Sequence, residues 1–342
     1  MKRFIDKSNM MFLLLVVVVV ALFLLNLFMG AVDIPFGEVL SIITGGECER
    51  ETWKIIVLET RLPQAVTALL SGAAISVAGL LLQTLFNNPL AGPEVLGINS
   101  GAGLGVALVM LLTQGVFAVG GMAVAGYLAV FAGAFIGAAV IMAVILLFST
   151  IVRNKIFLLV VGVAVGYLAS SLISVLNYFA TAEGVHSYLI WGMGSFSAVS
   201  LGQLPLFVVL TTALLVLSLL MIKPLNAILL GDAYAHNLGV NVKAVRNVLL
   251  AVVGMLTAVV TAFCGPIAFI GLAVPHMARM LLGSNNHKVL LPGTLLFGSV
   301  VALVCNVICQ LPGDSGLLPL GAITPLIGAP VIIYVVLRNK NI

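Results

Sequence analysis

Long apolar stretches dominate the chain, and short polar interruptions divide them into ten: residues 10–30, 63–85, 94–113, 116–148, 156–179, 198–222, 244–264, 266–283, 290–311 and 319–337. About 20 apolar residues rise roughly 30 Å as a helix, the depth of a bilayer's hydrocarbon core. Barrel strands would alternate apolar and polar positions. These stretches do not, so the pattern predicts an all-α, polytopic membrane protein of about ten transmembrane helices. The stretch 116–148 exceeds one upright helix and predicts a steep tilt or a surface turn at Gly120 and Gly121, whereas 266–283 is short. Met10 to Met29 follows Lys2, Arg3 and Lys7 in the manner of a secretory signal. A signal's apolar region runs only about 7 to 15 residues, so this stretch reads as the first span.

Composition enforces the same conclusion. Hydrophobic residues fill 62% of the 342 positions and charged residues 8%, against about 45–50% and about 25% in soluble domains. So few charges cannot build a water-soluble shell. Glycine, at 35 positions, suits membrane helices because small residues let backbones approach. The four-residue spacings Gly101/Gly105, Gly133/Gly137 and Gly162/Gly166 predict helix packing of that kind.

The charges then sort by side. With ten spans and the N-terminus inside, twelve of the fifteen basic residues reach the inner face: Lys2, Arg3, Lys7, Arg153, Lys155, Lys223, Lys243, Arg246, Arg279, Lys288, Arg338 and Lys340. The outer face receives Arg50, Lys54 and Arg61 with eight of the eleven acids: Asp33, Glu38, Glu47, Glu49, Glu51, Glu59, Glu183 and Asp314. Lys and Arg concentrate in short cytoplasmic loops, so this sorting predicts an even number of spans with both termini cytoplasmic.

Several chemistries are disfavoured by what the chain lacks. Without a Gly-Lys dipeptide there is no G-x-x-x-x-G-K-[ST] phosphate loop, so ATP-driven work needs a partner. There is no His-Glu-x-x-His motif; His186, His236, His276 and His287 are scattered, and no metal cluster is expected. Cys264, Cys305 and Cys309 sit in apolar stretches as small hydrophobes, although Cys305 and Cys309 share a helix face that could hold a soft metal. Cys48 stands apart from them, so no disulfide framework is readable. Gly313-Asp314-Ser315-Gly316 has the G-x-S-G form of intramembrane serine peptidases, but no histidine follows it to act as base; with Pro312 it reads as a turn. Every Asp and Glu falls in a loop or at a span edge, which weakens an ion-coupled secondary transporter as the alternative.

Two segments carry polar structure of their own. Asn88-Pro89 and Gly92-Pro93 break helicity twice in quick succession, which forces an inner-side turn between two spans. The longest cytoplasmic loop runs from Lys223 to Arg246. Pro224 as a stop, Asp232 as a helix cap and Gly239 as a terminator predict a compact helical knob there. On composition alone the same loop is a solvated connector. Lys243 and Arg246 are expected to anchor the inner interface, His276 to be a packing residue and Arg279 to mark the inner end of its helix.

Four blocks resemble a known family. The first joins Arg61-Leu62-Pro63-Gln64 and Ser71-Gly72-Ala73-Ala74 to Gln83, Asn88-Pro89-Leu90-Ala91-Gly92-Pro93, Leu96-Gly97 and Ser100-Gly101-Ala102-Gly103. Leu230-Gly231-Asp232 with Leu238-Gly239 is the second. The third runs from Gly265-Pro266 through Gly271-Leu272 to Pro275-His276 and Arg279. Leu318-Pro319-Leu320-Gly321, Thr324 and Ile327-Gly328-Ala329-Pro330 form the fourth. In this order, over about residues 55–338, they resemble the FecCD/BtuC-like permeases of bacterial ABC importers, which take up ferric siderophores, haem and vitamin B12.

The resemblance implies one transmembrane permease domain over residues 1–342 in the bacterial cytoplasmic (inner) membrane, with no ATPase site and no cofactor of its own. ATP and Mg would sit on a separate ATP-binding cassette subunit. The segment at about 223–246 would insert into a cleft of that subunit, with Gly231, Asp232, Leu238 and Gly239 shaping it. A substrate-binding protein would deliver cargo to a homodimer whose pathway lies between two copies, near the fifth, eighth and tenth spans; nucleic acid is not an expected partner. Ser170, Ser171, Ser174 and Asn177 could line that pathway, although helix packing also accounts for the serines. Arg61 matches a docking arginine of the family. Gln64 and Gln310 stand where further arginines are usual, and Leu317 replaces a usual acid, which implies docking with few charges.

Overall fold

The computed structural model describes residues 2–112, 123–152, 154–311 and 316–339, and is all-α among them. Gly120, Gly121, Arg153, Lys340 and residues 312–315 of the G-x-S-G turn lie outside the described residues. The helices are α1 (Lys2–Phe28), α2 (Phe36–Ile43), α3 (Glu51–Ile55), α4 (Leu62–Phe86), α5 (Ile98–Leu112), α6 (Ala123–Ile151), α7 (Lys155–Phe179) and α8 (Ala182–Gly192). They continue as α9 (Leu204–Leu220), α10 (Ile222–Ile228), α11 (Asp232–Asn237), α12 (Val242–Cys264), α13 (Ile270–Leu282), α14 (His287–Gln310) and α15 (Leu320–Asn339).

Six helical segments are long and apolar enough to cross a membrane, and a seventh crossing is made if α9 and α10, bent by 51° across Met221, count as one. The apolar helices in α5, α13 and α15 are shorter. Together these match the ten stretches of the sequence, with corrected edges. The third span becomes α-helical only at Ile98, because Pro93–Leu96 is a 3-10 turn closed by Gly97 at φ 73°. The sixth becomes α-helical only at Leu204, after a 3-10 turn at Phe196–Ala198. α6 alone runs 29 residues, so the excess length of the fourth stretch is helical from Ala123 onward.

α4 is the axis of the bundle. It is buried along nearly its whole length, with α14, α12, α13 and α9 packed around it. Glycines set the spacing: a Cβ on Gly79 would lie 1.7 Å from the Gly271 carbonyl oxygen, and one on Gly72 would lie 2.2 Å from that of Gly298. All three predicted glycine spacings mark such contacts. Gly101 and Gly105 of α5 lie on Gly137 and Gly133 of α6, while Gly162 and Gly166 of α7 face Val95–Gly97. Lipid tails are as apolar as leucine, so van der Waals packing of this closeness, and not apolar burial, holds membrane helices together. A small separate core of Ile34, Val39, Ile42 and Val57 seals α2 and α3 over one end of the bundle.

Candidate functional site

Helices break at several points, and the breaks meet. α4 ends at Asn87, a left-handed residue at φ 47°, and Asn88 Oδ1 accepts the Leu90 N–H at 2.9 Å. Pro89 gives its carbonyl to His276 Nε2 at 2.6 Å, and Pro93 packs on Gly271. α12 stops at Gly265, φ 75°, and α13 starts after Phe269, which is held at φ 68°. Between them the Ser195 N–H donates to Cys264 O at 2.7 Å, and the Gly321 N–H to Met193 O at 2.7 Å. Irregular backbone inside a membrane protein survives only where its polar groups find partners like these. Glu94 sits in this knot, its carboxyl facing the backbone N–H groups of Glu94 and Phe269.

At one end of the bundle α10 and α11 form a knob. α10 buries Leu225 and Ile228; α11 buries only Ala235, while Leu229, Leu230, Tyr234 and Leu238 point outward. Gly231 joins the two helices at φ 102°, ψ 150°, a conformation essentially reserved for glycine. Gly239, φ 82°, ends α11: its N–H donates to His236 O while Val240 N–H reaches back to Ala235 O at 3.0 Å, a Schellman turn. Asp232 departs from its expected role. The cap position is Gly231, and the Asp232 carboxylate instead accepts from Lys155 Nζ of α7 at 2.8 Å. Arg246 also differs, since it is buried and donates to the Ser149 carbonyl of α6 and not to the interface.

Polar contacts fasten the knob and its surroundings. Asn226 of α10 accepts the His287 N–H at 2.9 Å, faces His287 Nδ1 at 3.0 Å and donates to Asn286 Oδ1 at 2.9 Å. His287 Nε2 meets Thr84 Oγ1 of α4 at 2.8 Å. One residue earlier, Gln83 accepts from Arg279 at 2.6 Å and donates to Leu272 O at 3.1 Å. His276 and Arg279 are therefore bonded inside the bundle.

α7 presents a broad outward face. Tyr167, Tyr178 and Phe179 are exposed on it, interleaved with Ser170, Ser171 and Ser174. The Ser170 and Ser174 hydroxyls donate to carbonyls one turn earlier, Gly166 at 3.0 Å and Ser170 at 3.1 Å, and the Asn177 Oδ1 is buried without a partner.

Comparison with known proteins settles the lineage. A family model described as the FecCD transport family matches residues 16–338. The chain belongs to this family. Among curated FecCD-type relatives, the vitamin B12 import system permease protein BtuC of Escherichia coli O17:K52:H18 is 36% identical over 299 residues, covering 86% of this chain and 88% of the relative. Its counterpart in Salmonella typhi is 36% identical over 291 residues, covering 84% and 85%. A solved structure of a metal-chelate type ABC transporter in an inward-facing conformation superposes with a TM-score of 0.83 at 27% identity, covering 96% of this chain and 99% of that one.

Within this FecCD chain the three positions expected to dock a binding protein lie inside the bundle. Arg61, 3% exposed, donates to the carbonyls of Leu27, Phe28 and Val32. Those carbonyls lie at and just beyond the end of α1, where a helix leaves acceptors unsatisfied and favours a cation. Gln64 donates to Asn306 Oδ1 at 3.0 Å, and Asn306 in turn to Asn26 Oδ1 at 2.7 Å, which stitches α4, α14 and α1. Gln310 is buried, its Oε1 without a partner. Exposed cations near that end are Arg50, stacked 5.1 Å over the Trp53 ring, and Lys54. Sequence reasoning passed over Asn226 and Lys155 because each is an ordinary polar residue near a helix end; only their partners give them a role.

Proposed function

We propose that this FecCD-family chain is the permease subunit of an ABC importer in the bacterial cytoplasmic membrane. It passes a bulky metal chelate, a corrinoid or an iron complex, from a binding protein to the cytoplasm, driven by ATP hydrolysed with Mg on a separate cassette subunit. Two copies of the chain form the pathway, with the α7 face turned toward it. The observation that carries this reading is the knob of α10 and α11: a compact helical projection with apolar side chains outward, the kind of patch that marks a protein contact. Gly231, Asp232, Leu238 and Gly239 shape the surface that meets the ATPase. The named relatives import vitamin B12, which supports the corrinoid.

The test is co-purification with an ATP-binding cassette subunit from the same cell, followed by proteoliposome uptake of cyanocobalamin and of a ferric siderophore in parallel. Uptake of either that stops when the ATPase nucleotide site is disabled supports the proposal. Ion-gradient-driven uptake without ATP, or labelling from outside the cell of a cysteine placed at Asn237, defeats it. With Arg61, Gln64 and Gln310 held internally, binding-protein association is predicted to depend weakly on salt; a steep loss between low and moderate ionic strength would count against docking by neutral contacts.

A further inference from the structure

The two helices of the knob are fastened to different parts of the bundle. α10 is tied to the buried core: Asn226 uses both ends of its amide on His287 and Asn286, and His287, 1% exposed, continues to Thr84 of α4. α11 buries only Ala235. Its polar tie to the bundle is Lys155–Asp232, the sole ion pair among the described residues. Between the halves stands Gly231, and a Cβ there would meet nothing within 4 Å. Joint and clearance coincide.

Lys155 opens the first turn of α7, where the helix dipole disfavours a cation. Asp232 offsets that, and it also stands in the first turn of α11, where a carboxylate is favoured. The pair therefore joins two helix N-termini through opposite charges. Further along α7, Gly162 and Gly166 touch Val95–Gly97, a turn whose Pro93 lies on Gly271 of α13. α7 therefore touches the broken-helix knot by backbone contact.

Resting on the proposed ABC role, we propose that α10 is the fixed half of the knob and α11 the working half, pivoting at Gly231, and that the Asp232–Lys155 pair hands the movement of α11 to α7. Lys155 is thus a positioning residue for transport, 77 residues in sequence from the aspartate it holds.

The experiment uses the full permease in complex with its ATPase, with Cys48, Cys264, Cys305 and Cys309 replaced by alanine and a single Ser171→Cys on the α7 face. The rate of its reaction with a water-soluble methanethiosulfonate is compared with and without ATP and vanadate. Nucleotide changes the rate in the parent. Lys155→Gln retains ATPase association and hydrolysis but loses roughly fivefold or more of that change, the lower end of ordinary couplings between sites. Lys155→Arg, which keeps a cation facing Asp232, keeps the change, which a merely structural need for the lysine side chain would not allow. A full nucleotide response in Lys155→Gln overturns the link and leaves the transport reading standing. Loss of response in Lys155→Arg as in Lys155→Gln, with the ATPase still bound, also overturns it. A parent that binds no ATPase overturns both.

Discussion

α4 and α11 are both helices of one chain, yet they are built on opposite terms. α4 is buried along nearly its whole length, with glycines that bring neighbouring backbones into contact, and its Ser76, Gln83 and Thr84 are bonded to α13 and α14. α11 is a short helix with one buried alanine, glycines at both ends and an exposed apolar surface. The contrast separates what must not move from what must. Tight cores resist displacement as units, whereas sparsely packed segments with free joints open at low cost.

The sharpest way to break this contrast is to insert atoms into the axis. Gly79→Val would place a Cβ 1.7 Å from the Gly271 carbonyl oxygen, and backbone cannot yield there as a side chain could. We predict a loss of roughly 3 kcal/mol or more, the upper end of overpacking, seen as failed membrane insertion or a collapsed melting transition in detergent. Normal yield with an unchanged transition would show that α4 and α13 are not in such contact.

Arg61→Met comes next. Removing a buried guanidinium that serves three carbonyls at the end of α1 is expected to cost about 1.5 to 3 kcal/mol, the range for hydrogen bonds to charged groups. A melting temperature equal to the parent's, combined with lost binding-protein association, would return Arg61 to a docking role. Gly231→Ala is smaller in stability and larger in consequence. The space around Gly231 is clear while its φ of 102° disfavours any L side chain, so the strain of about 1 to 3 kcal/mol is local to the joint. The bundle should melt almost as before while nucleotide-driven uptake falls; unchanged uptake would show that the joint does not work.

Much of this plan was legible in the sequence, because helix length and glycine spacing are local properties. The ten stretches found their helices, and Gly101/Gly105 and Gly133/Gly137 found each other. What was not legible depends on partners far along the chain. Asp232 looked like a cap because aspartates before helices usually are, but Lys155 is 77 positions away. Arg61 looked like an outward cation until α1 presented its terminal carbonyls. The start of α13 was misplaced for a similar reason: Pro266 to Phe269 are as apolar as a span, and only the positive φ of Phe269 and its contact with Glu94 show the break.

The mildest perturbation bears most directly on the mobile side. Leu238 is 58% exposed at the end of α11, so Leu238→Ser removes almost nothing from the core and should shift stability by less than about 0.5 kcal/mol, as for surface sites without special contacts. If the knob is an ATPase-binding surface, the same change removes an apolar contact at the centre of that interface, and the ATPase should co-purify at a clearly reduced ratio from a permease that melts normally. The equivalent swap on a lipid-side position, Leu14→Ser on α1, should leave that ratio alone. Equal recovery of the ATPase from Leu238→Ser and from the parent would mean that the outward leucines of α11 face something else, and the division between a fixed axis and a driven knob would lose its driver.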